Sequence, residues 1–139
     1  MRLTRHENAG DFLACAGDFL AAREAEHNLI LGISSRLQRD PILYGEPAYL
    51  ATVEDEGRVI GVTMRTPPHN LILSEIDDEG VIALVLEDAR EVFGTIPGVV
   101  GPKAPVAEFA ELVTNAPPKD REVEAARKRE RAEKRFATA

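Results

Sequence analysis

The turn Asp77-Asp78-Glu79-Gly80 sets three carboxylates and one glycine directly before an apolar helical run. Acids at such a place complement the positive end of a helix dipole. They also oppose any phosphate, which needs converging backbone N–H groups and close approach. Two residues upstream, Glu75 could serve as a general base if buried in a cleft. Beside Asp77 and Asp78 it reads as a solvated carboxylate at the end of a central strand. Cys15 sits among alanines with no basic neighbour to turn its thiol into a thiolate. Ser34, Ser35 and Ser74 lack the flanking glycines of a nucleophile elbow. His6 and His27 have no ligand partners at zinc-site spacing, and His69 follows Pro67-Pro68 in a turn, where it reads as hydrogen-bonded structure. No catalytic, cofactor-binding or metal-ligating residue is therefore assigned.

A chain of 139 residues with 44% apolar content corresponds to about one globular domain. Its apolar runs, such as Val81 to Leu86, are too short to span a bilayer. The opening MRLTRHENAG has no apolar segment of the secretory type. One cysteine gives no internal disulfide and no zinc cluster. A cytoplasmic setting is expected. The net charge of −7 is unevenly spread: Lys119 to Arg135 carries +3, so the rest carries −10. An acidic body does not suit nucleic acid, whose phosphates require cations.

Elements that would position these residues can be read from the pattern. Arg2 to His6 predicts a short strand. Phe12, Leu13, Ala16, Phe19 and Leu20 recur at helical spacing, after an opening at Ala9-Gly10-Asp11. His27-Asn28 predicts a break, and Leu29 to Leu37 a second short helix that Asp40-Pro41 ends. Tyr49 to Val53, Arg58 to Arg65 and Asn70 to Ile76 predict three strands, the first two joined by a glycine turn. In the second, Val59, Gly61 and Thr63 alternate with Ile60, Val62 and Met64. Val81 to Phe93 predicts a helix, Gly98 to Gly101 a short buried strand, and Val106 to Val113 another short helix. After Asn115 the composition turns to charge and alanine. Such a segment favours a solvated helix or disorder.

The order strand, helix, helix, three strands, helix, strand, helix resembles the GNAT (N-acetyltransferase) fold. The wording YLATVEDEGRVIGVTMRTPPHNLILS and PGVVGPKAP is similar to the N-terminal lobe of bacterial two-lobed GNAT proteins, over roughly Arg2 to Asn115. The resemblance implies an α/β (α+β) fold with a mixed, mostly antiparallel sheet flanked by helices. It implies residues 1–116 as the domain and 117–139 as a charged tail. It also implies a glycine-rich loop for the pyrophosphate of acetyl-CoA where this chain has Asp77 to Gly80, and a tyrosine acid in the fourth helix where this chain has Phe109. Tyr44 and Tyr49 lie far upstream. The usual last strands have no counterpart in the tail.

The expectation is a GNAT-like lobe without catalytic activity of its own, acting through structure or interaction, with no cofactor for this chain alone. Its partner would be a second copy or a catalytic GNAT lobe. The homodimer would form through the face Phe12, Phe19 and Leu20 or the edge Gly98 to Gly101. One alternative is an active enzyme using acetyl-CoA. The other is an adaptor binding protein or RNA through the tail, although the tail lacks the interleaved aromatics that stack bases.

Overall fold

A computed structural model describes residues 1–115. The expectations for residues 117–139 lie outside the described residues. The elements run β1 (Arg2–Arg5), α1 (Ala9–Ala21), α2 (Glu24–Arg39), β2 (Tyr49–Asp55), β3 (Arg58–Arg65), β4 (Leu71–Leu73), α3 (Val81–Phe93), β5 (Val99–Val100) and α4 (Lys103–Thr114). The strands form one sheet in the order β1-β2-β3-β4-β5. Every pairing is antiparallel except β4 with β5. Among the described residues four helices flank this mixed sheet, which makes the fold α+β.

Period-two alternation sends side chains to two cores. Tyr49, Ala51, Val53, Leu71 and Leu73 join Val81, Ile82, Val85 and Phe109 on the α3/α4 face. Leu50, Ile72, Val62 and Met64 join Phe12, Leu20, Ile30 and Leu37 on the α1/α2 face. Burying both faces explains why β4 is apolar at each of its three positions.

The alternation expected along β3 is interrupted. Glu54 pairs with Val59 and Val53 with Gly61, so Ile60 is an extra residue. Ile60 therefore turns to the α3/α4 core while Val59 packs towards α1/α2, the same side as Val62 and Met64. The β2–β3 connection is a two-residue turn, Glu56-Gly57, with φ of 52° and 76°. Two successive positive φ angles match the twist of a hairpin, and glycine carries the second without strain.

Other boundaries differ from expectation. The helical break falls at Ala22-Arg23, and α2 runs through His27-Asn28, Gly32 and Ser34-Ser35. The buried side chains of His27 and Ser34 find partners inside the fold, which offsets their weak helix propensity. Asn8 caps α1 by accepting from the Asp11 N–H at 2.8 Å. Asp40, extended before Pro41, ends α2 as expected. β4 stops at Leu73, so Glu75 lies outside the strand. β5 is half exposed at its edge, with Val100 37% exposed, instead of buried. Phe12 and Leu20 are fully enclosed and Phe19 stacks on His27. Phe12 and Leu20 are therefore core residues, and Phe19 is partly buried.

Candidate functional site

The β4–α3 connection is where the GNAT resemblance implies a loop for acetyl-CoA. Gly80 precedes α3 in the left-handed region, at φ 87°, and accepts from the Leu84 N–H at 3.2 Å. Asp77, Asp78 and Glu79 are exposed around it. Arg23, from the α1–α2 elbow, reaches across with one guanidinium nitrogen 3.0 Å from Glu75 and another 2.9 Å from Asp77. Met1 lies on the other side, its methyl carbon 3.9 Å from where a Cβ on Gly80 would stand. The Met1 amine is 3.1 Å from Asp55 at the end of β2. Two acidic turns, 54–56 and 77–79, thus meet around Met1. A phosphate brought to this turn would meet a region of exposed acids, Asp78 and Glu79 among them, whose charge opposes it.

Among the described residues, β4 and β5 do not part beside that turn. Ligands of α/β sheets sit where parallel strands part at their carboxyl ends. The parallel pair here is Leu71 with Val99 and Ile72 with Val100. It stays closed one residue further, because a Cβ at Gly101 would lie 2.6 Å from the Leu73 carbonyl oxygen.

Phe109 is buried against α3 and the sheet, as a core residue. Tyr49 is brought to α3 by β2, where its hydroxyl donates to Asp88. Arg5 grips the same carboxylate from β1, Nε donating to Oδ2 at 3.1 Å and Nη2 to Oδ1 at 2.8 Å. Burial, then the Asp88 bond, push the Tyr49 hydroxyl far above its ordinary range, which makes it a poor proton donor. Burial alone would raise the Asp88 carboxyl, but Arg5 and Tyr49 together hold it below the ordinary carboxylate range. This triad ties β1, β2 and α3 together. Sequence spacing placed Tyr49 far from the fourth helix and gave no sign of its pairing with Asp88, 39 residues away.

The remaining candidates are dispersed. Cys15 on α1 donates to Glu54 Oε1 at 3.1 Å and lies 3.7 Å from Thr52 Oγ1. Burial, followed by Glu54, pushes the thiol up, away from a nucleophilic thiolate. His6 Nε2 is 2.9 Å from the same Thr52 hydroxyl. His69 closes the 66–69 turn, its N–H donating to Thr66 and its carbonyl accepting from Arg65 Nε. Ser34 donates to the Ile30 carbonyl, and Ser74 accepts from the Val62 N–H while donating to the Glu75 carbonyl. No cluster of three or more His, Cys, Asp or Glu that could hold a metal occurs among the described residues.

Sequence reasoning passed over one grouping. Phe19, Arg23, His27, Arg58, Glu75 and Asp77 line a cleft of about 260 Å³ between the α1–α2 elbow and the β4–α3 connection. His27 forms part of its wall and is buried, 1% exposed. The only sequence signal was a polar pair, His27-Asn28, inside an otherwise helical pattern. No described helix is long and apolar enough to cross a membrane. The chain matches no protein-family model, no curated protein and no solved structure.

Proposed function

We propose that this chain is a GNAT-like lobe that acts by association and not by acetyl transfer. The observation that carries the reading is the state of the α3 N-terminus. Its exposed glycine follows three exposed carboxylates, of which Arg23 holds Asp77, and β4 and β5 stay paired beside it. These features of the described residues support a reading without acyl-CoA binding. Phe109 in the core supplies no acid, and Tyr49 is engaged by Asp88.

Association would use apolar surface, and the fold leaves some outside its two cores. Ile42 and Leu43, after α2, are 69% and 44% exposed beside an open groove lined by Leu37, Pro41, Pro47 and Leu50. The β5 edge with Val100 is a second such place, while Leu29 and Val92 are also exposed. Partners of this reading are a second copy or a catalytic GNAT lobe, in a reducing cytoplasm that suits the free thiol of Cys15.

Calorimetric titration of the full chain with acetyl-CoA tests the proposal. No saturable heat is expected at about micromolar concentrations. A 1:1 isotherm, with acetyl transfer to any amine detected by mass spectrometry, would replace it with the enzyme reading.

A further inference from the structure

The two edges of the sheet are built differently. β1 carries Arg2 and Arg5, which reach Glu54 in the first case and Asp88 and Glu91 in the second. Charged side chains on an outer strand discourage a further strand from adding there. β5 has no such guard. It lies inside 92–102, eleven residues without a charged side chain, the longest such run in residues 1–115. Among the described residues no strand lies beyond it.

The backbone of β5 offers a specific handle. The Gly98 carbonyl accepts from the Leu71 N–H at 3.0 Å, which turns the polar groups of Gly98 towards β4. Successive residues of a strand direct these groups to opposite sides, so the N–H and C=O of Val99 face the open edge. Backbone groups in such a place take a partner, from another strand or from water. Pro97 and Pro102 have no N–H to donate, which confines any added pairing to residues 98–101.

We infer that β5 pairs antiparallel with β5 of a second copy of this chain, about a two-fold axis at Val99. This rests on the association reading and names its partner, its edge and its register. Val99 of each copy donates its N–H to the Val99 carbonyl of the other. Opposed residues of an antiparallel pair stand on one face. The two Val99 side chains therefore meet on the α3/α4 side, where Val99 already packs, beside a cavity of about 280 Å³ lined by Leu86, Ile96, Phe109 and Val113. Val100, 37% exposed, lies across from Gly98 of the other copy, which has no side chain to obstruct it. A chain that carries −10 outside Lys119 to Arg135 thus meets itself without setting like charges opposite one another. Each copy uses its unguarded edge in the same contact, so the assembly closes at two.

Sedimentation of the full chain from about 1 to about 100 µM, joined to amide exchange at Val99, tests the pairing. The dimer fraction should grow with concentration, and the Val99 amide should become protected in step with it. Val100→Glu, at a site exposed in the single chain, should weaken dimerisation about tenfold or more by setting two carboxylates on one face of the seam. A monomer at every concentration would overturn the inference. If that monomer also fails to bind acetyl-CoA, the association reading survives with a different partner. Val99 protection that ignores concentration would overturn the inference too, because the chain's own residues would then cover the edge. So would a dimer that leaves the Val99 amide exchanging and ignores Val100→Glu, which would move association to another face such as Ile42 and Leu43. Should Val100→Glu fail to fold, the Val99 measurement on the unaltered chain decides alone.

Discussion

Gly61 lies directly beneath Val81: a Cβ built on the glycine would stand 2.8 Å from Val81 Cγ1. The first residue of α3 thus rests on the backbone of β3, one position past the extra residue Ile60. Both partners are fully or nearly fully enclosed, so neither has room to withdraw.

Gly61→Ala should destabilise the fold by about 1–3 kcal/mol through overpacking. Adding Val81→Ala should recover part of that loss, because it removes the clashing methyl. Denaturant melts of the two single variants and the double variant give the coupling. Simple additivity would contradict direct contact.

The Arg5–Asp88–Tyr49 triad should tie stability to acid. The folded Asp88 carboxyl lies below its unfolded value, so its contribution is present above the ordinary carboxylate range. It is lost as pH falls through the folded value. Asp88→Asn should flatten that part of the stability–pH curve. The loss at neutral pH should stay near about 1 kcal/mol, since Arg5 is 48% exposed and solvent screens the pair. An acid limb unchanged in the variant would show that other carboxylates control it.

The Cys15 thiol should react slowly. Burial and Glu54 raise it, so it remains protonated to higher pH than an ordinary thiol. The stabilisation this reflects is full below the unfolded thiol value and is lost as pH rises through the folded one. Iodoacetamide at about pH 8 should label native Cys15 several-fold more slowly than the unfolded chain. Glu54→Gln should raise the native rate, read by intact mass. An unchanged rate in that variant would leave burial as the whole cause.

Phe12→Ala should cost about 3–5 kcal/mol, the penalty for a large aromatic cavity. Phe12 is wholly enclosed between α1, α2 and the sheet. Thermal melting and sedimentation separate this from loss of an interface. A variant of unchanged melting temperature would show that the side chain is not core.

The sequence made the element order legible because period-two and period-3.6 patterns survive wherever one face is buried. Residues 58–65 and 81–93 match their expected bounds. The errors fall where tertiary partners outweigh local preference. His27 looks like a helix breaker until Leu20 and Glu75 occupy its two nitrogens. The seven-residue spacing of Phe12 and Phe19 marks one face but not what covers it, and α2 with the sheet does so. Ile60 reads as an ordinary member of an alternating strand, since a bulge leaves no mark in composition. Around the candidate site, the acidic turn was visible. The hold of Arg23 on Glu75 and Asp77, 52 and 54 residues away, was not.

The Glu56-Gly57 turn also sets an order of events along the folding path. The β2–β3 hairpin is closed by two residues, whereas β1 finds β2 only after the helical hairpin between them has been looped out. β5 likewise reaches β4 across α3. Short loops close within microseconds, while distant strands wait on the entropy of long ones. The 49–65 hairpin is thus the shortest-range pairing of the sheet, and both distant edges add to it only at the entropic cost of longer loops.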